Sequence, residues 1–165
     1  MKKIILVRHG RAEDASPDFP DFERSLTLKG KSVSRLMAGK LKEKVNDIGV
    51  IISSPAFRAI ETALIFAGEY SINAEKMIIN SDLYYLNDVK SFTGILKKID
   101  EDVATITLFG HNPSFTELGS HFCIEACDVI PKSGIVCLSF NVRTWSEVKP
   151  SSGNPDLILK PKKVL

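Results

Sequence analysis

Lys3-Ile4-Ile5-Leu6-Val7-Arg8-His9-Gly10 begins as a strand and ends as a site. The first part is an unbroken apolar run rich in β-branched residues, without the polar alternation of a half-exposed strand. Such a run reads as a strand covered on both faces, the usual state of a parallel sheet in an α/β protein. Charge then appears abruptly, as Arg8 and His9, where the strand emerges. Ligands of open α/β sheets bind outside the carboxyl ends of the strands, so these two side chains stand where a site is expected. Gly10 lets the backbone turn closely around a ligand.

Similar runs recur downstream. Lys3 to Arg8, Val50 to Ser53, Thr105 to Gly110 and Ile135 to Asn141 are predicted strands. Between them, Leu28 to Val45 places Val33, Leu36, Met37, Leu41 and Val45 at three- and four-residue steps, which makes one apolar helix face. Pro55 to Tyr70, Val89 to Ile99 and Pro113 to Cys127 are further predicted helices, and the alternation of the two element types gives an α/β sandwich. Ser54-Pro55 and Asn112-Pro113 each set a capping side chain before a proline at a helix start, and Thr27 is placed to cap the helix from Leu28. Asp14 to Glu23 is polar, holds two prolines, and reads as an excursion near the site. Beyond Arg143, the Ser151-Ser152-Gly153-Asn154-Pro155 turn cluster and Leu157-Ile158-Leu159 suit a late hairpin ending in an edge strand.

The chain of 165 residues fits a single domain, residues 1–165, since cores of about 100 to 200 residues are the usual unit. Its 22 basic and 20 acidic residues leave a net charge of +2, too little for a global field that would hold nucleic acid or a membrane surface. Selectivity for anions must therefore be local. Two lysines and four apolar residues at the N-terminus fall short of the roughly 7 to 15 apolar residues of a signal peptide, and a cytoplasmic protein is expected.

The second and third strand ends repeat the arrangement of the first. Ser53-Ser54-Pro55 leads into a helix whose first turn carries Arg58, and helical side chains lean back toward the N-terminus, over the strand end. Phe109-Gly110-His111-Asn112-Pro113 again runs from strand through polar residues into a helix. Both helices turn their free N–H groups and positive dipole ends toward one edge of the sheet, an arrangement that attracts phosphate. Arg8 and Arg58 add two guanidinium forks suited to phosphoryl oxygens.

Arg8-His9-Gly10, Ser53-Ser54-Pro55 with Arg58, and Gly110-His111-Asn112, in that order along nearly the whole chain, resemble the histidine phosphatase superfamily. Arg24 to Gly30 ("RSLTLKG") and Ser53 to Ala63 ("SSPAFRAIETA") resemble its small phosphohistidine phosphatases. The resemblance implies a three-layer α/β/α sandwich with a mostly parallel, phosphoglycerate mutase-like sheet. It implies catalysis without cofactor or metal, in which His9 takes the phosphoryl group covalently, flanked by Arg8, Arg58 and His111. Arg8 and its neighbours favour an uncharged His9, whereas His111 is expected to act as a cation. Arg24, Gly10 and Asn112 are candidate substrate-binding residues. Larger family members supply an acid to the leaving oxygen, and Asp82, Asp88 and Glu13 are its candidates here. A phosphorylated imidazole leaves more readily than an alkoxide, which favours phosphohistidine in a signalling protein as substrate. A small-molecule phosphomonoesterase or mutase and a non-catalytic phosphate-recognition module are the rival readings.

Other features are read as structural. Cys123, Cys127 and Cys137 form no even-numbered disulfide framework, and Cys123 and Cys127 beside His121 lack the spacing of a zinc finger, so they are expected to be reduced, packed thiols. Gly30-Lys31-Ser32 is not a P-loop, because Ser25 stands where the motif needs glycine. Lys160, Lys162 and Lys163 read as a solvated tail.

Overall fold

A computed structural model describes residues 1–86, 88–125 and 127–162. Asn87, Ala126 within the helix expected from Pro113, and Lys163 of the basic tail lie outside the described residues. The sheet has six strands: β1 (Lys2–Arg8), β2 (Val50–Ser53), β3 (Ile78–Ile79), β4 (Thr105–Gly110), β5 (Ile135–Phe140) and β6 (Asn154–Leu159), in the spatial order β3-β2-β4-β1-β5-β6. β3, β2, β4 and β1 run parallel, while β5 pairs antiparallel with β1 and β6 antiparallel with β5. β6 is the expected edge strand, but it begins inside the expected turn cluster, at Asn154, and pairs with β5 across the connection of residues 141–153.

Four helices cover the two faces: α1 (Leu28–Lys42), α2 (Phe57–Glu69), α3 (Val89–Leu96) and α4 (Ser114–Phe122). Alternate residues of β1 divide between two cores. Ile5 and Val7 pack with Met37 and Leu41 of α1 and Ala63 and Phe66 of α2. Ile4 and Leu6 pack with Phe92 and Ile95 of α3 and Phe115, Leu118 and Phe122 of α4. This is a three-layer α/β/α sandwich, and burial on both faces explains the unbroken apolar run of β1.

The helix boundaries depart from expectation for local reasons. Thr27 Oγ1 accepts from Gly30 N at 3.0 Å and caps α1 as expected. Ser54 does not cap α2, whose N-cap is Ala56 without a side-chain bond; the Ser54 hydroxyl instead hydrogen-bonds His111 Nε2 at 2.7 Å. Asn112 does not cap α4: its Nδ2 donates to Ile130 O at 3.0 Å and its Oδ1 accepts from Thr116 Oγ1 at 3.1 Å. α4 stops at Phe122, short of Cys127, because the late turn cluster takes its terminal carbonyls. Ser151 N donates to His121 O at 2.9 Å and Gly153 N to Phe122 O at 2.7 Å. Among the described residues no helix is long and apolar enough to cross a membrane.

Candidate active site

Strand register brings the three motifs together. Arg8 pairs with Gly110 and Ser53 with Phe109, so the carboxyl ends of β1, β2 and β4 finish at one level. The ladder continues one residue beyond the strands, with His9 N donating to Gly110 O at 3.0 Å and Ser54 N to Phe109 O at 2.9 Å. His9 and His111 therefore project from neighbouring strand ends, and their ring centroids lie 5.1 Å apart.

The orientation of His9 is fixed by its own neighbour. Its Nδ1 lies 2.7 Å from Gly10 O, and because a carbonyl only accepts, Nδ1 carries the proton and Nε2 the lone pair. Burial is the main reason that the imidazole is held far below its ordinary value, at about 3, with the positive Arg58 and Arg8 and the second imidazole adding to the effect. Desolvation thus outweighs the guanidinium charges expected to keep this ring neutral. The His111 imidazole is lowered to about 4, again chiefly by burial and then by Arg58. This corrects the expectation of a cationic His111, since an enclosed ring beside a fixed guanidinium charge stays neutral at pH 7.

Gly10 serves this geometry through packing. A Cβ there would lie 2.5 Å from Ser34 Oγ and 3.1 Å from Gly30 O, so its lack of a side chain admits α1. Its N–H donates to Thr62 Oγ1 at 3.0 Å, and Thr62 donates in turn to Arg58 O at 2.7 Å. Both polar backbone atoms of Gly10 are thus engaged within the protein, as is the Asn112 side chain. Gly110 plays a matching part, since a Cβ there would strike the Phe115 ring at 2.5 Å.

The guanidiniums of Arg58 and Arg24 are held from the excursion after β1. Arg58, nearly buried, donates from Nη1 to Asp21 O at 2.7 Å and from Nη2 to Asp21 Oδ2 at 2.8 Å. Arg24 donates to Asp21 Oδ1 from Nε at 3.0 Å and Nη2 at 2.7 Å, and to Glu13 O from Nη1 at 2.8 Å. Tyr84 Oη donates to Asp21 Oδ2 at 2.8 Å, and its ring stands edge-on to His111 with centroids 5.6 Å apart. Partial burial of Asp21 acts against ionisation, but the bonds from Arg24, Tyr84 and Arg58 prevail and hold the carboxyl well below the usual carboxylate range. Arg8 Nη1 donates to Ile130 O at 2.9 Å. Arg8 Nε, Arg58 Nε and His111 Nδ1 are buried nitrogens without a hydrogen-bond partner among the described residues. Buried nitrogens without a partner are scarce in protein interiors, and those of Arg8, Arg58 and His111 belong to three of the four side chains that the motifs bring to this strand edge, which makes it the candidate site.

The other candidates lie elsewhere in function or in space. Asp88 Oδ1 accepts from Ser91 N at 2.7 Å as the cap of α3. Asp82 faces Lys98 at 3.8 Å. Glu13 is exposed, and its backbone carbonyl takes Arg24. The sequence reading named neither Asp21, Tyr84, Ser54 nor Thr62 as part of the site. Only the polar Asp14–Glu23 excursion hinted at the first of these. Among the described residues no group of three His, Cys, Asp or Glu side chains is placed to hold a metal.

Paired imidazoles and guanidiniums at the strand ends of an α/β/α sandwich define a phosphoryl-handling class of protein. Residues 4–83 match the family model of the histidine phosphatase superfamily (branch 1), a span that holds Arg8, His9, Arg24 and Arg58. Solved structures share the phosphoglycerate mutase-like fold over nearly the full chain. The protein histidine phosphatase SixA in complex with tungstate is 24% identical, with a TM-score of 0.80 over 96% of this chain and 97% of that one. A candidate phosphohistidine phosphatase SixA from Agrobacterium tumefaciens is 19% identical, with a TM-score of 0.78 over 97% and 98%. A mycobacterial glucosyl-3-phosphoglycerate phosphatase in complex with VO3 is 12% identical, with a TM-score of 0.69 over 95% and 98%. No curated protein matches the sequence at a significant level.

Proposed function

We propose that this protein is a phosphohistidine phosphatase that acts on a phosphorylated signalling protein through a covalent intermediate on His9. The observation that carries the reading is the 2.7 Å bond from His9 Nδ1 to Gly10 O, which leaves Nε2 as a lone-pair nucleophile beside two guanidiniums. In the first step Nε2 attacks phosphorus in line, the P–N bond to a substrate imidazole protonated on its other nitrogen breaks, and that ring departs with the bonding pair as neutral imidazole. Water then attacks the His9 phosphoramidate and releases inorganic phosphate. Arg8 and Arg58 stabilise the charge on the equatorial oxygens through both steps. The Ser54 hydroxyl, 2.7 Å from His111 Nε2, fixes the orientation of the uncharged His111 ring beside His9. Among the described residues Asp88, Asp82 and Glu13 take Ser91, Lys98 and Arg24 as partners and none bonds the imidazole pair, which favours a substrate whose leaving group needs little protonation from the protein.

The test is turnover of phosphohistidine with and without a chelator, combined with acid-quench trapping of the labelled protein. Phosphate release that survives the chelator, with an acid-labile label lost in His9→Ala, is the expected result. Undiminished turnover by His9→Ala would overturn it, and faster turnover of phosphate esters than of phosphohistidine would move the assignment to an ester phosphatase.

A further inference from the structure

The excursion between β1 and α1 carries more than Asp21. Residues 13–23 read Glu-Asp-Ala-Ser-Pro-Asp-Phe-Pro-Asp-Phe-Glu, acidic and aromatic, with no basic residue. Asp21 is compensated by Arg24 and Arg58. Glu13, Asp14, Asp18 and Glu23 are exposed and form no ion pair among the described residues. Phe19 is 65% exposed, Phe22 and Phe57 are each 44% exposed, and Tyr85 is 70% exposed. Phe22 and Tyr85 are linked to the site by ring contacts, and the acidic residues and Phe19 share the segment that holds Asp21. Phe22 stands edge-on to Phe57 at 6.3 Å, one residue before Arg58, and Tyr85 stands edge-on to Tyr84 at 4.9 Å, which itself faces His111. The Asp21 bonds to Arg58 and Tyr84 tie the excursion to the mouth of the site.

A negative rim around an anion site is unfavourable for free, highly charged phosphate compounds, whose approach it opposes at long range. It suits a phosphoryl group that arrives already embedded in positive surroundings. Exposed aromatic rings beside those charges are the type of residue that interfaces use, and solvated single-domain surfaces seldom gather them.

We infer that residues 13–23, with Phe57 and Tyr85, form a docking rim for a phosphorylated protein whose phosphoryl-bearing side chain is surrounded by basic and aliphatic residues. The rim's charge complements the basic groups and its rings receive the aliphatic ones, while the phosphoryl group passes between them to His9. This inference rests on the phosphatase reading above and adds to it the surface chemistry of the substrate.

Two pairs of peptides test the rim and that reading separately. Each pair sets the phosphoryl residue between Lys and Leu in one peptide and between Glu and Ser in the other; one pair carries phosphohistidine and the other phosphoserine. The expected result is a preference of about tenfold or more in kcat/KM for the Lys/Leu peptide, shrinking as ionic strength rises. Asp14→Asn/Asp18→Asn/Glu23→Gln should abolish most of the preference, and Phe19→Ser/Phe22→Ser should lower Lys/Leu peptide turnover by about fivefold, in the range expected for truncated interface aromatics. Both variants should turn over free phosphohistidine at the wild-type rate. Equal kcat/KM for the two flanks on every phosphoryl residue would overturn the rim, as would variants that slow free phosphohistidine as much as peptide, or free phosphohistidine outpacing every peptide. A flank preference seen only with phosphoserine would uphold the rim and overturn the phosphohistidine assignment.

Discussion

Asp21 grips Arg58 at both terminal nitrogens, with its backbone carbonyl at 2.7 Å and its carboxylate at 2.8 Å, across 37 residues of sequence. That double contact fixes the guanidinium plane, while Nε has no partner among the described residues. Asp21→Asn removes the charge that also anchors Arg24 and Tyr84. We expect kcat/KM to fall by about tenfold to a hundredfold, since misplacing a clamp group weakens transition-state contacts. The accompanying stability loss should be modest, on the order of 1 kcal/mol, because the Asp21 side chain is about half exposed and screened by solvent. Steady-state kinetics and thermal melts separate the two effects; a large melting shift with unaltered kinetics would show that Asp21 is merely structural.

His9 and His111 should both stay uncharged across the physiological range. With the rings held at about 3 and about 4, against an ordinary value near 6.5, neither should titrate between pH 5 and 8 in imidazole NMR spectra. A midpoint near 6.5 for either ring would contradict the burial argument.

The same displacement links pH to stability. The unfolded chain takes up protons on these histidines below about pH 6.5, whereas the folded chain refuses them down to about 4 and about 3. Their contribution is therefore complete above pH 6.5 and fades as pH falls through that window, by about 2 kcal/mol per histidine on reaching pH 5. Melting temperature should drop between pH 7 and 5, and His9→Gln or His111→Gln should flatten that slope. An unchanged slope in both variants would refute the linkage.

Gly10→Ala should destabilise by about 1 to 3 kcal/mol, since the added methyl meets Ser34 Oγ at 2.5 Å and Gly30 O at 3.1 Å. Adding Ser34→Ala removes the nearer clash and should restore part of the loss. Full additivity of the two substitutions in denaturant titrations would argue against this contact as the cause.

Thr62→Val keeps the side-chain volume but strands the buried Gly10 N–H, which donates to Thr62 Oγ1 at 3.0 Å. A cost of about 1 to 3 kcal/mol is expected. Because Gly10 O also receives His9 Nδ1, the rate of His9 phosphorylation in rapid-quench experiments should fall too; an intact rate would place Thr62 outside the positioning of His9.

The layers and the three strand ends were legible because β1, β2 and β4 are covered on both faces and so are short and mostly apolar, with β-branched residues in each. Arg8, His9, Arg58 and His111 could be grouped because each follows or leans over a strand end. β3 escaped notice, as Ile78 and Ile79 are two exposed residues with no periodicity to reveal them. The helix starts were misplaced because tertiary partners claimed the capping groups: His111 took the Ser54 hydroxyl, and Ile130 and Thr116 took the Asn112 amide. Asp21 was invisible for a related reason, since its partners Arg58 and Tyr84 lie 37 and 63 residues away.

The level finish of β1, β2 and β4 has an evolutionary consequence. Because the imidazoles inherit their spacing from hydrogen-bonded backbone, the segment from 13 to 23 is free to diverge in length and composition around them, provided an acid remains at the position of Asp21 to brace the guanidinium. Transplanting that segment between relatives would carry substrate preference from one to the other without rebuilding the chemistry beneath.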